Sequence, residues 1–402
     1  MKYLLMSTSP NITTGYGIVS NNLMKFLKDK IDIKMLGLQN IGHQKEEWNL
    51  SMLEDIYGSD ALEFYCKLYG IDYVLTILDN WVSPYSYLPD LLKKLKAGHI
   101  CHVTANSLPL SPVLHNKIKN ANFWIAPSKF VEKTLLDAGY DKNRIFYIPH
   151  GVDTNIFKPQ EIEKHKEMMG YKDKFVWLAV ATNTGFEKNW SGLFYAYKIF
   201  LIQNPEAKKD TLLHCHTSMH YPGGYDLEAL AKIFGISENI RFISGMSLNA
   251  GLPPEEMAKL YNIADCYISS TMGESFHLPA LEAMACGAPC IIPNHTTGPE
   301  LVGDNTGLLV ELLKMKNDQE FGLTGPTISD KWLIDPIDMA DKMTKIYRDK
   351  KLRENLSKNA VKFARGYDWE KVIIPKWLEF FKHVEEDVEI QPLDFKERSL
   401  GI

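Results

Sequence analysis

The sequence predicts an α/β protein built from two doubly wound parallel sheets. Ten short apolar runs alternate with amphipathic stretches, at residues 3–6, 33–36, 73–77, 99–103, 123–126, 176–181, 211–215, 240–243, 266–268 and 289–292. Continuous apolar strands interleaved with helices mark parallel sheets covered on both faces. At 402 residues the chain is too long for one ordinary core. The segment 145–160 (IFYIPHGVDTNIFKPQ) has Pro149, Gly151 and Pro159 and no helical period, so it divides the series in two.

The opening run MKYLLMSTSP is too short and too soon interrupted for a signal peptide, and reads as a buried first strand. A charged helix is expected over 161–169, ahead of the next strand. Residues 311–332 interrupt the second half as an insertion. The last amphipathic stretch, 369–384, carries Trp369, Trp377, Phe380 and Phe381, and the tail after Glu385 is polar and peripheral. Leu88, Leu91, Leu92 and Leu95 form one helical stripe beside Lys93, Lys94 and Lys96. Such a helix either packs on its own sheet or rests on anionic lipid.

Hydrophobic content of 45% and charged content of 24% are those of a globular protein, and the net charge of −5 argues against broad nucleic-acid binding. The six cysteines are scattered with no CxxC pair, which fits reduced thiols in a cytoplasmic protein. No apolar run approaches the roughly 20 residues of a membrane span, so at most peripheral membrane contact is expected.

The chemistry concentrates in GESFHLPALEAMACGAPCIIPN, residues 273–294. Pro279 suits a first helical turn, Gly287 a left-handed C-terminus, and Pro289 blocks continuation. The result is a helix of about two turns whose free N–H groups and positive dipole end face the loop before it, a ready anion site. Glu274 lies on that loop and Glu282 about one turn into the helix. Either both face a ligand, or Glu282 merely favours the helix start and Glu274 is solvated.

The whole string resembles the Glu-x7-Glu signature of the retaining glycosyltransferases of family 4. The likeness runs over nearly forty positions, EMAKLYNIADCYISSTMGESFHLPALEAMACGAPCIIPN. APSKFVEKTLLDAGYDKNRIFYIPHGVDTNIFKP resembles that family's interdomain segment, and YDWEKVIIPKWLEFF its closing helix. The resemblance implies the GT-B fold: two Rossmann-like doubly wound domains facing a central cleft. Residues 1–158 would form the acceptor side and 159–366 the donor side, with 367–402 a helix crossing back plus a tail.

It also implies roles. Glu282 would bind the ribose and Glu274 the transferred sugar, with Ser275, Phe276, His277 and Leu278 offering backbone to the pyrophosphate. His277 stands where many relatives have glycine, and either contacts the sugar or narrows the pocket. Lys188 in ATNTGFEKNW matches a lysine that stabilises the leaving diphosphate, although a lysine at a helix start is usually solvated. Asn183 holds a donor-side position where relatives commonly carry arginine, so one positive charge is missing. Another residue supplies it, Arg241 in principle, or leaving-group stabilisation is weaker. Met246 belongs to the stretch 244–247 expected around the base.

Gly15 and Gly17, in TTGYG, would allow the donor close to the backbone. They also fit a loose dinucleotide pattern, but the next strand ends in MLGLQN with no acidic residue for a ribose, and a plain turn glycine is the alternative. His102 would match a histidine near the reacting sugar, or be structural; His150 reads as a linker contact. Asp79, Asn80 and Trp81 follow a strand and are acceptor-side candidates. No Asp-x-Asp triplet occurs, so no metal and no cofactor are expected. The implied activity is transfer from a nucleotide-sugar donor, UDP- or GDP-linked, to an acceptor hydroxyl, with retention and without metal. The acceptor is not legible. The rival readings are a nucleotide-sugar epimerase and a non-catalytic nucleotide-sugar binder.

Overall fold

The structure is a computed structural model that describes every residue except 13, 40–47, 53–54, 83, 162, 243–250, 304, 326–327 and 387–402. The chain forms two compact units. The first holds Met1–Gly151, Pro326–Ser329 and the C-terminal stretch from Trp369, and the second holds Val152–Gly325 and Asp330–Asp368.

The first unit is built on seven strands: β1 (Lys2–Thr8), β2 (Asp32–Leu38), β3 (Asn49–Leu50), β4 (Tyr73–Ile77), β5 (Gly98–His102), β6 (Phe123–Ala126) and β7 (Ile145–Tyr147). Their order is β3-β2-β1-β4-β5-β6-β7, with every pair parallel. The chain therefore reverses its winding between β1 and β4. The second unit holds β8 (Phe175–Val180), β9 (Thr211–His216), β10 (Ile240–Phe242), β11 (Cys266–Ile268), β12 (Cys290–Pro293) and β13 (Gly307–Val310). Their order is β10-β9-β8-β11-β12-β13, again parallel, with the reversal between β8 and β11. Each unit thus has the doubly wound, Rossmann-like pattern.

All ten strands expected from apolar runs are present, each within two residues of its expected ends. The runs are legible because both faces of these strands are buried; Tyr3, Leu4, Leu5 and Met6 are wholly so. The sequence reading missed β3, β7 and β13, which are two to four residues long. The inserted segment 311–332 contains an antiparallel hairpin, β14 (Gly322–Thr324) and β15 (Asp330–Trp332).

In the first unit, the helix Ile374–Glu386 packs its aromatic face on the sheet. The Phe381 ring lies 4.6 Å from Tyr3, and Phe380 lies 4.8 Å from Phe146 and 5.9 Å from Phe123. On the helix Pro84–Leu95, Leu88 and Leu92 are buried and Leu91 and Leu95 pack against the same core. The leucine stripe therefore packs against the core of its own unit, the first of the two expected alternatives. All six cysteines are buried free thiols. Among the described residues no helix is long and apolar enough to cross a membrane.

Candidate active site

Ligands of open parallel sheets bind outside the carboxyl ends of the strands, where the winding reverses. In the second unit that point lies between the loop after β8, which carries Asn183 and Lys188, and the loop after β11, which carries Glu274. Two hydrogen bonds from Ser270 Oγ, to the Lys188 carbonyl (3.1 Å) and the Asn189 carbonyl (2.9 Å), tie the loops together. A third bond runs from Met272 N–H to the Glu187 carbonyl at 2.8 Å. Lys188 Nζ then meets Glu274 Oε1 at 2.5 Å, and Thr271 Oγ1 donates to the same oxygen at 2.9 Å. Burial alone would raise the Glu274 carboxyl. The Lys188 ammonium, His277 and the two donated hydrogen bonds outweigh it and hold the group down to about 2.

The predicted short helix is Leu278–Ala285, with Pro279 in its first turn and Gly287 left-handed just past its end, at φ +93°. The N-cap residue His277 makes no side-chain cap, Pro279 has no N–H, and Ala280 N–H bonds the His277 carbonyl at 3.2 Å, so an anion here would meet the positive end of the helix dipole and the backbone of the preceding loop. His277 precedes the helix in the left-handed region at φ +78°, a conformation that favours glycine. Its Nε2 lies 3.1 Å from the Tyr267 hydroxyl. Burial pushes the imidazole down to about 4 against the opposing pull of Glu274, with Lys188 adding to the fall, so it is neutral near pH 7. Glu282 is buried and accepts from the Tyr261 hydroxyl at 2.9 Å. Burial lifts its carboxyl to about 7, the Tyr261 bond opposing. Ser275 and Phe276 lie on the loop between Glu274 and the helix, Phe276 buried in the core beneath it.

The Asn183 side chain is hydrogen-bonded within its own unit. Its Nδ2 donates to the carbonyls of Tyr225 (2.7 Å) and Ser218 (3.1 Å), and its Oδ1 accepts from Tyr225 N–H at 2.9 Å. The loop after β9 approaches so closely that a Cβ on Gly224 would stand 1.9 Å from the Asn183 carbonyl oxygen. Its side chain is spent as a clamp. Arg241 caps local carbonyls of Glu238 and Ile240 instead. Met246 lies outside the described residues.

The reversal point of the first sheet lies between the loops after β1 and β4. There Tyr16 donates a 2.6 Å hydrogen bond to Asp79. Gly17 must be glycine for an internal reason: a Cβ would stand 1.9 Å from the Ile12 carbonyl, and its N–H donates to Thr14 Oγ1 at 3.2 Å. Gly15 is the exposed first residue of the same helix, Gly15–Leu27. The Asn80 side chain is a buried brace. Its Oδ1 accepts from Thr104 N–H at 2.7 Å, and its Nδ2 donates to Tyr85 Oη and the His102 carbonyl. Trp81 is 42% exposed. His102 is buried with no hydrogen bond to either ring nitrogen among the described residues, stacked 4.8 Å from His150. Burial, then His150, holds it neutral by lowering its basicity.

Three contributors escaped the sequence reading. Thr296 Oγ1 accepts from Glu274 N–H at 3.2 Å, and buried His295 lies 3.1 Å from the Thr271 carbonyl. Lys331, on β15, is buried and pairs with Glu187 at 2.9 Å, while Trp332 stands 6.0 Å from His295. The insertion thus reaches the residue next to Lys188. Thr296 and His295 follow a parallel strand's carboxyl end, the one signal that could have found them; Lys331 offered none.

The fold matches solved structures along almost its whole length. Sucrose-phosphate synthase from Thermosynechococcus elongatus superposes with a TM-score of 0.72 at 16% identity, covering 96% of this chain and 100% of that one. Anabaena HepE, solved with UDP and glucose, gives 0.68 at 16% identity, covering 96% and 99%. The fold is GT-B. Within this GT-B chain, residues 183–321 match the family model of glycosyl transferases group 1. Among curated proteins it is similar to D-inositol 3-phosphate glycosyltransferases. The Actinosynnema mirum protein is 28% identical over 58% of this chain and 50% of its own length. The Corynebacterium jeikeium protein is 26% identical over 73% and 65%. The chain thus spans about half to two thirds of the length of these relatives.

Proposed function

We propose that the chain transfers a sugar from a nucleotide-sugar donor to an acceptor hydroxyl, with retention and without a metal ion. The observation that carries this reading is the Lys188–Glu274 pair beside an uncapped helix start, at the reversal point of the donor-side sheet. The diphosphate lies on the backbone of 275–278. Lys188 exchanges part of its contact with Glu274 for a phosphate oxygen and stabilises the charge that grows as the glycosidic C–O bond breaks. Glu274 accepts from a sugar hydroxyl, and Glu282 accepts from the ribose. The acceptor oxygen bonds to the anomeric carbon on the departing side, and its proton passes to the leaving phosphate. Glu274, held ionised by Lys188, is not needed as the base. The complexes of Anabaena HepE with UDP and with UDP-glucose support a UDP-linked donor, with GDP the alternative. The first unit takes the acceptor.

The test is transfer from labelled UDP- and GDP-sugars by the purified chain, with NMR reading the anomer formed. Lys188→Ala and Glu282→Ala should each lower kcat/KM by about 10²–10³-fold, with folding retained. A chelator should leave the rate unchanged. Wild-type turnover in either variant, or an inverted product, would overturn the mechanism.

A further inference from the structure

We propose that Lys331, on β15 of the inserted hairpin, is a positioning residue for the transfer: its ion pair with Glu187 sets the place of the neighbouring Lys188 ammonium. This rests on the donor reading above. The chain just before Lys188 is an exposed turn. Gly185 takes a left-handed φ of +55°, and Gly185 and Phe186 both face solvent. Glu187 is then held at both ends. Its carbonyl accepts from Met272 N–H at 2.8 Å, and its carboxylate meets Lys331 Nζ at 2.9 Å. Lys188 follows at once, with its carbonyl tied to Ser270 Oγ and its Nζ on Glu274. Releasing the Glu187 carboxylate loosens the chain immediately before that ammonium.

The hairpin gives its buried position to this lysine. Of the three residues of β15, Lys331 alone is buried, with its side chain 2% exposed against 40% for Glu187. A lysine is rarely buried without a partner, and an apolar residue of like volume ordinarily serves stability as well or better. The ammonium is kept for its place beside Lys188 rather than for the fold. Trp332, the next residue, borders the other half of the site. Its ring stands 6.0 Å from His295, whose Nε2 lies 3.1 Å from the Thr271 carbonyl, and Thr271 Oγ1 donates to Glu274. The charge of Lys331 is felt there as well. Burial brings the His295 imidazole down to about 4 against the pull of Thr271 and Glu274, with His277 and Lys331 adding to the fall. A catalytic group misplaced by about 1 Å can cost roughly 10²-fold in rate, so an anchor one residue from Lys188 bears directly on the leaving diphosphate.

The full chain is compared with Lys331→Met, Glu187→Gln, Lys188→Ala and the double variant Lys331→Met/Lys188→Ala. Each is melted, then followed for nucleoside diphosphate release from labelled UDP-glucose, UDP-N-acetylglucosamine and GDP-mannose. Methionine fills the lysine's space and leaves Glu187 half-exposed to water, so Lys331→Met should fold. It should lower kcat by about 10–100-fold, with KM changing less. Glu187→Gln, which keeps an acceptor and loses the charge, should lower kcat by a smaller factor. In the Lys188→Ala background, Lys331→Met should cost nothing further, because it acts through Lys188. An equal fractional loss in both backgrounds would make Lys331 independent of Lys188 and overturn the proposal, as would wild-type kcat in Lys331→Met. If Lys331→Met does not fold, Glu187→Gln decides alone, and wild-type kcat there overturns the proposal. If the wild type consumes none of the three donors, the donor reading falls and this proposal with it; if the wild type consumes one and the variants match it, only this assignment falls.

Discussion

Asn183 and His277 each have a local physical role that their surroundings make explicit. The Asn183 amide is buried and spent on the loop 218–225. Removing it strands the Tyr225 N–H and two carbonyls, each costing about 1–3 kcal/mol when buried. Asn183→Ala should therefore destabilise the chain by about 2–3 kcal/mol in urea unfolding, a loss that a purely donor-contacting residue would not show. His277 sits at φ +78°, where a side chain is strained and glycine is not. His277→Ala should be less stable than His277→Gly by about 1 kcal/mol; equal stabilities would show that the backbone relaxes there. The type of each position was legible in the sequence. The purpose of Asn183 was not, because its partners lie 35 and 42 residues away.

At the scale of elements, apolar period and breakers located most strands and the short helix, because those signals are local. The strands missed, such as β3 and β7, gain stability from pairing at a sheet edge rather than from a long apolar run. The hairpin β14–β15 gave no signal either; its significance is that Lys331 reaches Glu187. The helix Ile374–Glu386 was legible from its aromatics, and its anchor can be tested. Phe380 is buried among Phe123, Phe146 and Trp377. Phe380→Ala should cost about 3–5 kcal/mol of stability, read from the denaturant midpoint; a loss under about 1 kcal/mol would show the helix adds little to the first unit.

At the scale of the whole molecule, burial of histidine sets the response to acid. Eight of the twelve, His99, His102, His115, His150, His214, His216, His277 and His295, are held below the ordinary value of 6.5, in each case chiefly by burial. Between about pH 4 and 6.5 the unfolded chain binds more protons at these sites, so stability falls as pH drops through that window. Glu282 has the opposite sign: with its carboxyl lifted to about 7, its burial costs stability as pH rises from 4.5 to 7. Eight groups outweigh one. The melting temperature should decline steadily from pH 6.5 to pH 4.5, and a flat profile would show that these imidazoles protonate in place. Glu282→Gln should remove the smaller, opposing slope.

The sequence by itself determined the doubly wound α/β class, ten strands, the loop-helix at 273–287 and the residue types within it. These follow from period, breakers and capping, which act over a few residues. Only the tertiary structure decided that Lys188 meets Glu274, that Asn183 is a clamp, that Asn80 is a brace and that the leucines of 88–95 face the core. Those outcomes depend on strand order and on which loops share a sheet edge, and the hydrophobic pattern of a single strand carries no record of its neighbours.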